Sequence, residues 1–223
     1  MKIGIIGITG RIGKILAAMI PNEEYSGGTC SKTPPQELVK IIGRSNVLID
    51  FSTPSSTMEA ITLAAEHKIP IVSGTTDLSE NDFRQIKKLS QIIPILHASN
   101  FSLGIQLMAI LVKKCSRLLS DFDFSIIDRH HRYKKDSPSG TALFLAQQTS
   151  KKAQIVSLRE GNIFGEHICD FVGENEMLSL THRVFNREVF AYGAIKCAKW
   201  IVKKEPKLYS MQDYLEAAIH EQN

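Results

Sequence analysis

Gly7-Ile8-Thr9-Gly10-Arg11-Ile12-Gly13 stands directly after the apolar run Lys2–Ile6 and opens a helical pattern near Ile12–Ile20. A strand that turns at once into a helix needs glycine where the chain is tight. The helix start also presents backbone N–H groups to an anion, as the pyrophosphate of a dinucleotide requires. The spacing is G-x-x-G-x-x-G rather than G-x-G-x-x-G, so the letters alone allow an ordinary tight turn. The strand–turn–helix setting is what points to a nucleotide.

Working outward, Val47–Ser52, Ile69–Ser73 and Ile93–Ala98 read as further short strands, with helical stretches near Thr57–His67 and Ser79–Leu89 between them. Short apolar strands alternating with helices describe a parallel sheet with crossover helices, a doubly wound half. After Asn100 the pattern changes: a long amphipathic helix, Gly104–Leu119, leads into a strand, Phe122–Arg132, whose later residues are strongly polar. β-like segments follow between Gln154 and Asn186, including Ile155–Arg159 and Met177–Phe185, which suggests a second, open mixed sheet. Helical periodicity returns at Phe190–Lys203, and Ser210-Met211-Gln212-Asp213 resembles a capping box for a last helix. These C-terminal helices are expected to fold back on the first half.

The 223 residues are enough for a real core without disulfide or metal staples. With 43% hydrophobic and 22% charged residues, the composition excludes a disordered chain, a collagen-like repeat and a coiled coil. A net charge of +4 is too slight and dispersed to argue for nucleic acid, and a small anionic ligand fits it better. Between Lys88 and Lys113 no Asp, Glu, Lys or Arg occurs, but the stretch is broken by Pro94, His97, Asn100 and Gln106, so no membrane span is expected. Glycines and the early Arg11 and Lys14 argue against an export signal. Cys30, Cys115, Cys169 and Cys197 are widely spaced, as reduced thiols in a cytoplasm would be.

Ligands on doubly wound sheets sit at the carboxyl ends of the strands. Those ends carry Asp50-Phe51-Ser52-Thr53-Pro54, Gly74-Thr75-Thr76 and Ala98-Ser99-Asn100-Phe101-Ser102, small and hydroxyl- or amide-bearing residues suited to ribose or nicotinamide. Any one of these is also an ordinary helix-capping loop. The stretch Asp128-Arg129-His130-His131-Arg132-Tyr133-Lys134-Lys135-Asp136-Ser137-Pro138-Ser139-Gly140-Thr141 holds two histidines and four cationic residues, ahead of a helix expected at Ala142–Ser150. Charge alone would make it a solvated basic loop. Imidazole, ammonium and a hydroxyl-bearing helix start together describe a pocket for an anionic substrate undergoing proton transfer. No metal is expected, because adjacent histidines on a strand point to opposite faces and no third ligand shows a suitable spacing. Serine hydrolysis is not expected either, for want of a Gly-x-Ser-x-Gly elbow.

These motifs, together with Arg159-Glu160-Gly161 and Gly165-Glu166-His167, closely resemble the 4-hydroxy-tetrahydrodipicolinate reductase (dihydrodipicolinate reductase) family from residue 2 to about 215. The resemblance implies an α/β fold: a Rossmann-like dinucleotide-binding domain, residues 1–102 and 193–223, with an inserted α+β domain, 103–192, for substrate binding and assembly into a homotetramer. It implies that NADPH or NADH delivers a hydride to a cyclic dicarboxylate in the diaminopimelate route of lysine biosynthesis. It also implies His130 and Lys134 as catalytic groups, with His131, Ser139, Gly140, Thr141 and Thr76 on the substrate. Gly7, Ile8, Thr9, Gly10, Arg11, Ile12, Gly74, Thr75, Thr76, Ala98, Ser99, Asn100 and Phe101 are implied on the cofactor. Tyr133 stands where many members have another histidine. The alternatives are a related Rossmann oxidoreductase acting on another imine or keto-dicarboxylate, and a nicotinamide-sensing module without turnover, which would have little use for His130 and Lys134. The second strand, Tyr25–Cys30, ends in Ser31-Lys32-Thr33 with no carboxylate before Glu37, so Lys32 is expected to welcome a 2′-phosphate and NADPH to serve at least as well as NADH.

Overall fold

The computed structural model describes residues 1–220. Its contacts divide the described residues into two compact units, one of 1–101 with the segment from 187 onward and one of 102–186, whereas the sequence reading puts the breaks after residues 102 and 192. Residues 221–223 of the expected first domain lie outside the described residues.

The first unit begins β1 (Ile3–Ile6), α1 (Arg11–Met19), β2 (Tyr25–Thr29), α2 (Pro35–Arg44), β3 (Val47–Asp50), α3 (Pro54–Glu66), β4 (Ile71–Ser73), α4 (Glu80–Leu89) and β5 (Ile95–His97). Every residue of β1, β3 and β4 is buried. A parallel sheet covered on both faces demands this, and it explains why these strands read as continuous apolar runs. Helix starts follow from local chemistry. Ser79 and Asp82 form a reciprocal capping box on α4, and Thr53 caps α3 with Pro54 in its first turn. Helix α2 is absent from the sequence reading: Pro34 and Pro35 look like breakers, yet Pro35 occupies the first helical position, where a missing N–H costs nothing.

The second unit comprises α5 (Leu103–Leu118), β6 (Asp123–His130), α6 (Gly140–Ala146), β7 (Gln154–Arg159), β8 (Gly165–Val172) and β9 (Met177–Val184). Its sheet has the order β7-β6-β8-β9, with β6–β7 parallel and the other pairings antiparallel. One face carries Phe124, Ile126, Cys169 and Phe171, which pack with Ile105, Met108, Val112, Ala142 and Leu145 of α5 and α6. On the opposite face Val156, Val172 and Met177 stand exposed.

The chain then returns to the first unit as α7 (Glu188–Ile201), β10 (Leu208–Tyr209) and α8 (Met211–His220). Helix α7 packs on α1 and on the central strands, and β10 adds an edge to give the parallel order β10-β5-β4-β3-β1-β2. The expected cap before α8 is present: Ser210 N donates to Asp213 Oδ2 at 2.8 Å, and Asp213 N donates to Ser210 Oγ at 3.3 Å. The strand order reverses between β1 and β3, and this switch point opens a crevice beside Gly7–Gly13.

Candidate active site

In the first unit the glycine turn is built so that no side chain fits. Gly7 has φ +87°. A Cβ on Gly13 would lie 2.1 Å from the Gly7 carbonyl oxygen. Gly7 and Ile8 N–H groups both donate to Thr29 O at 2.9 Å, which pins the turn to the end of β2. Helix α1 starts at Arg11 with no side-chain cap and no acidic residue in its first turn. The N–H groups of Arg11, Ile12 and Gly13 therefore have no intrahelical partner, and the helix dipole adds positive potential. Beside the turn lies a cavity of about 460 Å³ lined by Gly7, Thr9, Gly10, Cys30, Ser31 and Thr53, among others. This cradle fits a dinucleotide phosphate.

Around the cradle, Asp50 is fully buried and organises two strand ends. Its Oδ2 accepts from Thr57 (2.7 Å), Ser73 (2.7 Å) and Thr75 (3.0 Å), and its Oδ1 accepts from Ser52. The Thr75 hydroxyl also accepts from Ser52 N, so it is spent on holding the loop. His97 Nε2 meets Thr75 O at 3.0 Å. Thr76 and Ser99 are exposed, Gly74, Ala98 and Asn100 are half-buried, and Phe101 is buried with its ring edge-on to Phe51. Cys30 and Ser31 line the cavity, whereas Lys32 is exposed on the same turn and is not among the lining residues. Glu37 reaches Lys40 on α2. Glu59 of α3 does line the cavity, a carboxylate that the sequence reading passed over. The Lys32 N–H and the Thr33 hydroxyl hold the Cys30 thiol below its usual pKa.

In the second unit the alternation of β6 keeps one face buried while its chemistry changes. Phe124 and Ile126 are followed on that face by Asp128 and His130. Register places Asp128 opposite Ser157 of β7 and His167 of β8, and His167 opposite His182 of β9. A polar row thus crosses the sheet at the end of the apolar core. Asp128 Oδ2 accepts from Ser139 N (2.8 Å), Ser157 Oγ (3.1 Å) and Arg159 Nη2 (2.9 Å). Its Oδ1 lies 2.9 Å from His130 Nδ1 and 3.4 Å from His167 Nε2, close polar contacts without aligned hydrogen bonds. Burial pushes the Asp128 pKa up, but contacts from His130, His167, Ser139 N–H and Arg159 outweigh it and hold the carboxyl well below its usual range.

The sequence reading found no third metal-ligand position beside its histidines: Asp128 lies on β6 with His130, but His167 comes from β8 through strand register. The donor atoms of Asp128, His130 and His167 are within 4.8 Å of one another. The same carboxylate already carries the Arg159 guanidinium, which would repel a second cation, so hydrogen bonding and charge contact describe the cluster best.

Ser139 is the N-cap of α6: its hydroxyl accepts from Ala142 N (3.1 Å) and meets His167 Nε2 (3.2 Å). The helix starts at Gly140, earlier than the expected Ala142, so Gly140 and Thr141 are its first two residues. Gly140 is exposed, and a Cβ there would meet nothing within 4 Å. The Lys134 ammonium is gripped by both Asp136 carboxylate oxygens, at 2.7 and 2.8 Å. Arg159 also donates to Asp136 O at 2.8 Å, which ties this loop to Asp128. His131, the residue after β6 ends, is half-buried. Asp128, Ser157, Arg159 and His167 are the members of this cluster that the sequence reading missed or left without a role. Only the period-two alternation of β6 could have flagged Asp128 as sharing a face with His130.

Comparison with known proteins agrees with this geometry. Residues 1–101 match the family "Dihydrodipicolinate reductase, N-terminus", and residues 104–215 match "Dihydrodipicolinate reductase, C-terminus". The 4-hydroxy-tetrahydrodipicolinate reductase of Campylobacter jejuni serotype O:6 is 36% identical over 96% of this chain and 99% of its own length. That of Rickettsia akari is 36% identical over 100% and 99%. A dipicolinate-bound dihydrodipicolinate reductase from Paenisporosarcina sp. TG-14 shares the fold, with TM-score 0.81 and 21% identity over 94% of this chain and 97% of that one. An aspartate dehydrogenase from Thermotoga maritima superposes less closely, with TM-score 0.54 and 10% identity. With both halves matched in order and full-length relatives at this identity, the chain belongs to the 4-hydroxy-tetrahydrodipicolinate reductase family.

Proposed function

We propose that this reductase uses NADPH at least as well as NADH, holds its cyclic dicarboxylate on the second unit, and assembles as a homotetramer in a cytoplasm. The reaction is the reduction of 4-hydroxy-tetrahydrodipicolinate to tetrahydrodipicolinate in lysine biosynthesis. A bound nicotinamide supplies a hydride. The glycine turn and the first turn of α1 would hold its pyrophosphate, with Gly74–Thr76 and Ala98–Phe101 along the rest.

The observation that carries the substrate assignment is the ring of groups around Asp128. One buried carboxylate touches His130, fixes Ser139 at the start of α6 and, through Arg159, ties down the Lys134 loop. Gly140 and Thr141, with His131, would bind the substrate carboxylates. Lys134, released from Asp136 by a competing carboxylate, would neutralise charge, and Lys134 or His130 would give the proton that follows the hydride.

The absence of acid at the end of β2 and the hydroxyl of Ser31 favour a 2′-phosphate, and Glu59 is the carboxylate that opposes it. The open face of the second sheet, with Val156, Val172 and Met177 exposed, supports assembly through that face. Four free cysteines fit a reducing compartment, and among the described residues no helix is long and apolar enough to cross a membrane.

The test is steady-state turnover with substrate generated in situ from aspartate semialdehyde and pyruvate, compared between the two cofactors. Equal or better kcat/KM with NADPH is expected. A tenfold preference for NADH would overturn the cofactor reading and point to Glu59.

A further inference from the structure

We propose that Asp128 and Gly165 are positioning residues that fix how His130 carries its proton: Asp128 keeps Nδ1 protonated, and Gly165 leaves Nε2 open as the atom that exchanges a proton with substrate. The inference rests on reading His130 as a proton-transfer group, and adds which nitrogen acts and what makes it act.

The Nδ1 side is set by charge. Asp128 Oδ1 lies 2.9 Å from His130 Nδ1. A bare nitrogen lone pair that close to a carboxylate oxygen would be repelled by its negative charge, so the nitrogen carries hydrogen. The carboxylate cannot turn away, because Arg159, Ser139 N–H and Ser157 hold its other oxygen from three directions. The His167 ring stands edge-on to His130 at 5.2 Å and blocks rotation from the β8 side.

The Nε2 side is set by space. A Cβ on Gly165 would lie 3.0 Å from His130 Nε2 and 3.4 Å from its Cδ2. Gly165 sits in β8, paired with Val184, and is not among the residues of positive φ. Its backbone has no need of glycine, so what glycine supplies is room at Nε2.

The proton then balances. Hydride arrival leaves an electron pair on the substrate, which takes the Nε2 proton from the imidazolium. The ring returns to its neutral Nδ1–H form, the one Asp128 favours, and water resupplies the proton. The 4-hydroxyl leaves as water, so from 4-hydroxy-tetrahydrodipicolinate to tetrahydrodipicolinate the substrate gains one hydride and one proton and loses one water.

The test compares Asp128→Asn, Gly165→Ala and His130→Gln. In Asp128→Asn the amide oxygen is kept by Arg159, Ser139 N–H and Ser157, so its NH₂ faces Nδ1 and forces the ring into the Nε2–H form. Expected results are a kcat loss of about 10²-fold or more, an unchanged KM for cofactor, and inversion of the His130 tautomer in long-range ¹H–¹⁵N correlation spectra. Gly165→Ala should lose kcat about tenfold or more with the tautomer retained. Should Asp128→Asn not fold, the wild-type spectrum and Gly165→Ala decide: a wild-type His130 in the Nε2–H form, or Gly165→Ala at wild-type kcat, overturns the inference. His130→Gln separates the two levels. Normal turnover in it sinks the proton-transfer reading and this inference with it. An inactive His130→Gln beside fully active Asp128→Asn and Gly165→Ala sinks the inference alone.

Discussion

Adding one methyl group at Gly13 tests the cofactor cradle at its tightest point. A Cβ there would sit 2.1 Å from Gly7 O and 2.8 Å from Ile8 Cα. Carbon and carbonyl oxygen do not approach within about 3 Å, so the first turn of α1 must retreat from the end of β1 by about 1 Å. The N–H groups of Arg11, Ile12 and Gly13 move with it. A charge-assisted hydrogen bond stretched by that much is essentially lost, at about 1.5–3 kcal/mol each. Losing two such bonds raises the cofactor Kd by roughly 10²- to 10⁴-fold. Gly43→Ala is the matched control, since a Cβ at this position in α2 meets nothing within 4 Å and should be neutral or stabilising by about 0.4–1 kcal/mol. Cofactor fluorescence titration of both variants, with thermal unfolding to verify the fold, gives the comparison. A folded Gly13→Ala protein whose Kd stays within threefold of wild type would refute the reasoning.

Lys134→Ala should lower kcat by about 10²-fold or more while cofactor Kd is unchanged; normal turnover would make Lys134 simply the partner of Asp136. Thr141→Val and Gly140→Ala should each raise the substrate KM about tenfold or more, and since a Cβ at Gly140 meets no neighbour, an unchanged KM in both would move the carboxylates elsewhere. Lys32→Glu should raise KM for NADPH and leave NADH nearly untouched; equal effects on both would show that this exposed side chain does not read the 2′ position. Stability should fall with acid in two stages. His182 is held below its ordinary 6.5 by burial, so the unfolded chain takes up the proton first and stability declines as pH drops under 6.5. Asp128 and Glu166 are held low, Glu166 chiefly by Arg183, so their contribution is intact above the unfolded carboxylate range and drains below about pH 4. Urea unfolding from pH 8 to pH 3 measures this, and a flat profile would contradict both assignments.

The parallel sheet is legible because β1 and β3 are buried along their whole length, so β1, and β3 up to its terminal Asp50, read as apolar runs beside a glycine turn. Helix α2 is not, since Pro34-Pro35 signals a break to a reader without coordinates and a helix start in the fold. In the candidate site, His130, Lys134 and Ser139–Thr141 lie within a dozen residues and could be found together. Asp128 gains its meaning from Ser157, Arg159 and His167, which reach it through strand register, and register is a non-local property. Hydroxyls pose a related difficulty. Ser139 and Thr75 look like ligand groups in sequence, but their oxygens are committed to Ala142 N and His167 in one case and to Asp50 and Ser52 in the other. Composition cannot distinguish a hydroxyl that binds from one that braces.

The central claim is a hydride transferred from a nicotinamide to a cyclic dicarboxylate. It is tested most directly by running the reaction with cofactor deuterated at the transferring position and analysing the product by mass spectrometry. One deuterium is expected in each tetrahydrodipicolinate formed, in step with cofactor oxidation. Cofactor oxidation without label in the product, or no oxidation when the substrate is present, would contradict it.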